Sequence, residues 1–202
     1  MTYKFPVSRT GASDIYSYLD ILKKTRSNNG IMLLRHSIRH SFKGMPEAGR
    51  DEVSLTDEGH EMAIKAGEII GEINLVCSSP VLRCIQTAQH ILPNSTIHSS
   101  KFLSGGPFGE EWLRLKEDVG WSDAIRRWLD GDFIGSKSVH DVGRDIVQYL
   151  AELHEAGLNT LAITHDIVIL AVAEYLGMRN RAISVPEIGG IFINDGLLEG
   201  KM

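Results

Sequence analysis

The chain alternates between short apolar runs and longer segments in which apolar residues recur at helical spacing. The runs are continuous rather than interrupted by polar residues, which is typical of strands buried on both faces of a sheet. We predict strands, the third of them weak, at 31–34, 74–78, 96–99, 160–164 and 189–194. We predict helices at 14–24, from 56 to about 71, from 79 onward, from 138 to about 157 and from 166 to about 175.

Capping residues support several of these helix starts. Thr56 precedes two acidic residues, which suit the positive end of a helix dipole, and Ser138 precedes an apolar helical face. Ser79-Pro80 combines a capping serine with a proline that tolerates the first helical position. On this interpretation Arg83 falls in the first turn of the helix that follows.

Strands alternating with helices predict an α/β fold, a three-layer α/β/α sandwich around a largely parallel sheet. The 202 residues suit a single domain over 1–202. Segment 102–137 breaks the pattern, with tryptophans scattered among charges, and we interpret it as a small irregular or helical cap-like insertion. The end of the chain predicts a hairpin, with Asp195-Gly196 as the turn and Leu197-Leu198 beyond it.

Composition narrows the function. A net charge of -5 argues against a nucleic-acid-binding face, which usually needs a basic excess. Cys77 and Cys84 form no disulfide framework or paired-cysteine metal site, so we expect two buried, reduced thiols. The first thirty residues lack the apolar core of a signal peptide and no later segment could span a membrane, so we expect a soluble, cytoplasmic protein without a membrane partner.

Two histidines follow two of the predicted strands. Arg35-His36 ends the first apolar run, and His165-Asp166 follows the run at 160–164. Because ligands of open α/β sheets bind beyond the carboxyl ends of the strands, these residues and Arg83 can meet at one edge. Arg39, three residues after His36, can join them.

This combination of residues suits a phosphoryl group. A neutral imidazole can attack phosphorus, and nearby guanidinium groups lower the histidine pKa while their planar forks bind phosphoryl oxygens. We therefore predict His36 as the nucleophile, with Arg35, Arg39, Arg83 and His165 around the phosphate. This chemistry requires no metal and no cofactor.

The leaving alkoxide needs a proton. Asp166 lies beside His165 and is the preferred donor, later taking a proton from the water that cleaves the phosphohistidine. Glu110 and Glu111, which follow Gly109 in the insertion, are the competing donors.

The motifs resemble those of the histidine phosphatase superfamily, which has the phosphoglycerate mutase-like fold. The matching motifs are Arg35-His36, Ser78-Ser79-Pro80 with Arg83 and Gln86-Thr87-Ala88, and Thr164-His165. The resemblance implies that His36 is the phosphorylated residue and that Arg35, Arg83 and His165 form the phosphate pocket. Arg39 and the His165-Asp166 pair look like the acid-phosphatase branch, although Ser37 and Ser41 depart from its pattern.

The function predicted is a metal-independent phosphomonoesterase acting on a phosphorylated small molecule or a phosphoprotein. Three other interpretations stay open: a phosphoglycerate mutase-like phosphotransferase, a phosphatase for phosphohistidine on proteins, and a non-catalytic module that binds a phosphorylated ligand. Single residues also have purely structural interpretations. An Arg-His pair at the end of a strand often makes local hydrogen bonds only, and a loop arginine such as Arg39 is often solvated. We assign no role to the remaining histidines.

Overall fold

The computed structural model describes residues 21–22, 29–106, 109–133, 137–155, 157–178 and 184–194. Within these ranges five strands form one sheet, in the order β3-β2-β4-β1-β5. They are β1 (Gly30–Arg35), β2 (Leu75–Ser78), β3 (Ile97–Ser99), β4 (Asn159–Thr164) and β5 (Gly190–Asn194). β1 to β4 pair in parallel and β5 runs antiparallel to β1.

Helices cover both faces of this sheet, as the predicted sandwich requires. The α-helices are α1 (Asp57–Ile69), α2 (Leu82–Ile91), α3 (Glu110–Val119), α4 (Trp121–Leu129), α5 (Val139–Leu153) and α6 (Asp166–Tyr175). Short 3-10 helices occupy Glu47–Glu52 and Lys101–Ser104. None of the α-helices in the described ranges is both long and apolar enough to cross a bilayer.

The core divides into two layers because successive side chains of a strand point to opposite faces. Ile31 and Leu33 of β1 pack with α4, α5 and α6, whereas Met32 and Leu34 pack with α1 and α2. The continuous apolar run of β1 is therefore buried on both sides, which confirms the interpretation of that run as a central strand.

Local capping confirms two predicted helix starts and corrects a third. Thr56 accepts a hydrogen bond from the Gly59 amide at 3.0 Å, and Ser138 accepts one from Asp141 at 3.1 Å. The start at Ser79-Pro80 is wrong, since α2 begins at Leu82 without a side-chain cap. Arg83 still lies in the first turn.

Segment 102–137 contains more regular structure than its sequence indicates. Two short helices, α3 and α4, form most of it, and Trp112 and Trp128 are buried in the same core layer as α5 and α6. The indole of Trp128 donates a hydrogen bond to the Lys137 carbonyl at 3.0 Å. That the segment acts as a cap stays a prediction, as does the single-domain boundary.

Both ends of the chain fall largely outside the described residues. Of the helix predicted at 14–24, Ile21 and Leu22 are described, and both are helical and buried. Of the predicted hairpin, the first strand is β5, while the turn at Asp195-Gly196 and the strand at Leu197-Leu198 lie outside the description.

Candidate active site

His36 and His165 meet at the carboxyl ends of β1 and β4. These two strands are parallel neighbours, with Arg35 in register with Thr164, so the residues that follow them emerge side by side. The His36 amide donates a hydrogen bond to the Thr164 carbonyl at 2.9 Å. The two imidazole rings lie edge to face, with centroids 5.5 Å apart.

The imidazole of His36 is buried and oriented. Its Nδ1 lies 2.7 Å from the Ser37 carbonyl oxygen, and because a carbonyl only accepts, Nδ1 is the protonated nitrogen. The lone pair therefore resides on Nε2. Burial holds the pKa of His36 well below 6.5, with further lowering by His165, Arg83 and Arg35, against a smaller opposing effect of the Ser37 hydrogen bond.

His165 is held by residues of the β2–α2 connection and of α2. Its Nδ1 accepts from Nη2 of Arg83 at 3.3 Å, and its Nε2 lies 3.0 Å from Oγ of Ser79. Burial, followed by the charges of Arg83, Arg35 and Arg39, lowers the pKa of His165 to about 3. His165 is consequently neutral at physiological pH.

Arg83 spans the space between His165 and the 3-10 helix at Glu47–Glu52. It donates through Nη1 to the Arg50 carbonyl at 2.8 Å, and its Nε is buried with no hydrogen-bond partner in the described structure. Burial lowers the pKa of Arg83. The guanidinium is thus fixed in place while one donor stays unused.

Arg35 is fixed from the opposite side, by the segment that precedes β5. It donates through Nη1 to the Val185 carbonyl, and Nη2 lies 3.4 Å from Oε1 of Glu187. Its Nε is also buried without a hydrogen-bond partner among the described residues. Each of these two arginines therefore keeps one buried, uncommitted N–H group.

Arg39 lies at the same site through its charge. Burial, then Arg83 and Arg35, lowers the pKa of Arg39 to about 10, whereas Asp166 and Glu187 oppose that shift. Its guanidinium carbon lies 3.4 Å from the centre of the Phe42 ring, and Nη1 donates to the His40 carbonyl at 2.8 Å. The structure brings Arg39 into the cluster by interaction at a distance rather than by a direct hydrogen bond to either histidine.

The three candidate proton donors differ in their surroundings. Asp166 is the first residue of α6, is partly buried, and interacts electrostatically with Arg39 and Arg83. Glu110 and Glu111 are exposed in the first turn of α3, and Glu110 pairs with Arg114 at 3.4 Å. In the described ranges neither glutamate has a hydrogen bond or ion pair to the histidines.

Several residues of the site have no role in the sequence motifs. Arg50, Phe42 and Glu187 all contact one of the predicted arginines. The Ser79 hydroxyl lies 3.0 Å from Nε2 of His165 and accepts from the Val81 amide at 3.4 Å, but it does not cap α2 as predicted. The sequence shows Arg50 as a further basic residue in the polar stretch that follows Arg39. A basic residue in such a stretch is ordinarily solvated, however, so its position alone does not indicate a role.

Neither the two cysteines nor the other possible metal ligands form a metal site in the described part of the chain. Cys77 and Cys84 are buried free cysteines, as predicted, and burial raises their pKa values to about 11 and about 12. In the part of the chain that the structure covers, no group of three or more His, Cys, Asp or Glu residues could hold a metal ion. Metal independence stays a prediction.

Comparison with known proteins places this arrangement in a family. The model of the histidine phosphatase superfamily, branch 1, matches residues 31–186. No curated protein matches the chain. The likeness of Arg39 and Asp166 to the acid-phosphatase branch rests on those residues alone.

Solved structures share the fold at low identity. A phosphoserine phosphatase from Entamoeba histolytica, in complex with 3-phosphoglyceric acid, has a TM-score of 0.60 and 18% identity, over 83% of this chain and 95% of that chain. A phosphoglycerate mutase from Bacillus anthracis has a TM-score of 0.57 and 16% identity, over 88% and 99%. A mycobacterial glucosyl-3-phosphoglycerate phosphatase complexed with VO3 has a TM-score of 0.52 and 20% identity, over 71% and 79%. Since the family model covers most of the sequence and the fold agrees, this chain belongs to the histidine phosphatase superfamily.

Proposed function

We propose that this phosphatase hydrolyses phosphomonoesters through a phosphohistidine on His36, without a metal or cofactor. The observation that carries the proposal is the orientation of His36, whose Nδ1 is committed to Ser37 so that the Nε2 lone pair is free to attack. Burial and the surrounding positive charges keep the imidazole neutral. A neutral, oriented imidazole is what nucleophilic attack on phosphorus requires.

The cations around His36 suit a phosphoryl dianion. The buried Nε groups of Arg35 and Arg83 have no hydrogen-bond acceptor within the described structure, and buried N–H groups are usually paired. Phosphoryl oxygens would supply those acceptors. The part of the lowering of the Arg39 pKa that comes from Arg83 and Arg35 would also be relieved by an anion among them.

The reaction proceeds in two displacements. In the first, Nε2 of His36 forms a bond to phosphorus while the bond to the ester oxygen breaks, and Asp166 gives its proton to the leaving alkoxide. In the second, water attacks the phosphohistidine, Asp166 takes a proton from that water, and the P–N bond breaks to release inorganic phosphate. The arginines and His165 hold the equatorial oxygens throughout.

Substitution of the nucleophile tests the proposal. His36→Ala should abolish hydrolysis of phenyl phosphate in the presence of a chelator, with an unchanged circular dichroism spectrum. His98→Ala is the matched control, since His98 is exposed on the edge strand β3. Wild-type rates in His36→Ala, or failure to trap acid-labile phosphate on the wild-type protein during turnover, would overturn the assignment.

Substitution of the donor tests the second role. Asp166→Asn should lower kcat for alkyl phosphates by about 10²- to 10⁴-fold, with a smaller loss for aryl phosphates whose leaving groups need less protonation. Glu110→Gln and Glu111→Gln are the comparison variants. An equal loss for both substrate classes, or a larger loss in either glutamate variant, contradicts the assignment of Asp166.

We further propose a phosphorylated small molecule as the substrate. The solved relatives are named for phosphoserine, phosphoglycerate or glucosyl-3-phosphoglycerate, which supports this class. A screen of phosphorylated metabolites against phosphopeptides, in chelator, tests it, and faster hydrolysis of the peptides would contradict it.

A further inference from the structure

Three guanidinium groups gather around one aromatic ring at the rim of the site. The guanidinium carbons of Arg39, Arg50 and Arg83 lie 3.4, 5.3 and 5.4 Å from the centre of the Phe42 ring. An aromatic face attracts cations without neutralising them. Phe42 can therefore hold like charges close together while leaving each able to bind an anion.

Arg50 is the member of this group that the phosphoryl chemistry does not use. Its carbonyl accepts the hydrogen bond from Arg83, so Arg50 adjoins the phosphoryl pocket through its main chain. Its side chain projects to the same ring of Phe42 as Arg39 and Arg83. Its Nε is buried without a hydrogen-bond partner in the described structure, whereas the side chain as a whole is 30% exposed, so a ligand can reach the guanidinium from solvent.

The existing partner of Arg50 is a displaceable one. Glu47 lies 2.5 Å from Nη1 of Arg50, one turn earlier in the 3-10 helix, and also 3.3 Å from Nζ of Lys116 on α3. The Glu47 side chain is 56% exposed against 30% for Arg50. A partly exposed ion pair of this kind contributes little to stability, so exchange of Glu47 for another anion has a small cost.

We infer that Arg50 binds a second acidic group of the substrate, a carboxylate or another phosphate, while Arg35, Arg39 and Arg83 bind the phosphoryl group that is transferred. The inference rests on the proposed function and adds a substrate class to it: phosphomonoesters that carry a further anion near the ester. Glu47 competes with that anion for the same guanidinium.

Paired substrates separate this role from a structural one. Phenyl phosphate is compared with 3- and 4-carboxyphenyl phosphate, and the measured quantity is the ratio of kcat/KM for the better carboxylated compound to that for phenyl phosphate. Because both rates come from one enzyme sample, the ratio does not depend on the folded fraction. Arg50→Gln should lower the ratio about tenfold, as expected for loss of a charge-assisted hydrogen bond, and Glu47→Gln should raise it.

Arg126→Gln is the matched control. Arg126 forms an ion pair with Asp123 at 2.8 Å and with the same i,i+3 spacing, but on the exposed side of α4, so the ratio should stay at the wild-type value. An Arg50→Gln ratio equal to that of wild type, with both substrates hydrolysed, would overturn the inference while leaving the proposed function intact.

Binding measurements distinguish a failure of this inference from a failure of the proposed function. Calorimetric titration of the same compounds into His36→Ala and into His36→Ala with Arg50→Gln compares affinities without turnover. A preference for the carboxylated compounds that disappears with Arg50 supports the inference even if wild-type enzyme hydrolyses none of them. Equal affinities in both proteins would refute it.

Discussion

The neutrality of His36 comes mainly from burial, with a further contribution from neighbouring charges. A histidine in water is partly protonated near pH 6.5, and a protonated imidazole has no lone pair to attack phosphorus. Here burial acts first, and the charges of Arg83 and Arg35 act in the same direction. On the proposed function, the arginines that would bind the phosphoryl group thus also help to keep the proposed nucleophile unprotonated.

This coupling predicts the pH dependence of the reaction. With the pKa of His36 well below 6.5, the acid limb of kcat/KM for an aryl phosphate should lie well below pH 6.5 once the second ionisation of the substrate is taken into account. Arg83→Gln removes one lowering charge, so its limb should move to higher pH at reduced overall activity. Arg114→Gln, on the exposed face of α3, should leave the limb in place. A wild-type limb at pH 6.5, unmoved in Arg83→Gln, would contradict this account.

At the scale of elements, sequence patterns predict those helix starts that depend on residues close together in the chain. The starts of α1 and α5 follow from Thr56 and Ser138, whose hydroxyls bond amides three residues ahead. The start of α2 does not follow from Ser79, whose hydroxyl contacts both the Val81 amide and His165, 86 residues away, while the helix begins only at Leu82. Tertiary hydrogen bonding overrides the local capping preference.

The candidate site shows the same division. Its core was predictable because Arg35-His36 and His165 each end an apolar run, and the ends of neighbouring parallel strands must converge. The contact of Glu187 with Arg35 and that of Arg50 with Arg83 were not predictable, because each joins residues far apart in the chain and no periodic pattern links them. The sequence predicts the insertion as irregular or helical, but not the bounds of α3 and α4, because both helices are short and rich in charge, with burial confined to a few side chains.

The first turn of α1 controls the loop that carries Arg39. Gly59 packs so tightly on this loop that an added Cβ would lie 2.0 Å from the Ile38 carbonyl oxygen, and Ser37 donates to the Gly59 carbonyl at 2.8 Å. Close approach of backbone to backbone is a position where only glycine fits. The loop between His36 and Arg39 is therefore held by α1.

Gly59→Ala should separate α1 from this loop. We expect a loss of about 1–3 kcal/mol in the free energy of unfolding, together with reduced kcat/KM because Ser37 and Arg39 are displaced. Gly49→Ala is the control, since its nearest atom beyond the neighbouring residues is Met45 Cγ at 3.6 Å, an ordinary contact. Thermal unfolding and phenyl phosphate kinetics measure both effects. Identical behaviour of the two variants would show that the backbone contact is unimportant.

On the scale of the whole molecule, an acidic protein places three of its arginines close together at one site. The net charge is -5, yet burial, followed by the charges of the nearby Arg83 and Arg35, lowers the pKa of Arg39 to about 10. Such a concentration of like charge opposes folding in the free enzyme and favours anion binding. The arrangement of charge in the free protein therefore favours an anion at this site.

The buried His36 and the partly buried His165 add a pH dependence to the stability of the whole fold. Their folded pKa values lie below the unfolded value of about 6.5, with His165 at about 3. Between the folded and the unfolded pKa values, the unfolded chain binds more protons than the folded one. The free energy of unfolding therefore decreases as the pH falls below about 6.5 toward the folded pKa. Above about pH 6.5 the histidines are neutral in both states and cost no stability. Each histidine contributes a slope of at most about 1.4 kcal/mol per pH unit in that window.

Replacing one of these histidines should remove its share of the slope. We expect the stability of wild type relative to His165→Gln, measured by urea unfolding, to decrease steadily from pH 7 to pH 5, because only the wild type must keep a buried imidazole unprotonated at position 165. Ile64→Ala, which truncates an exposed side chain on α1 without a titratable group, is the control, and its difference from wild type should be the same at every pH. A pH-independent difference for His165→Gln would mean that the imidazole is not held neutral in the folded protein, and the electrostatic account of the site would then have to be abandoned.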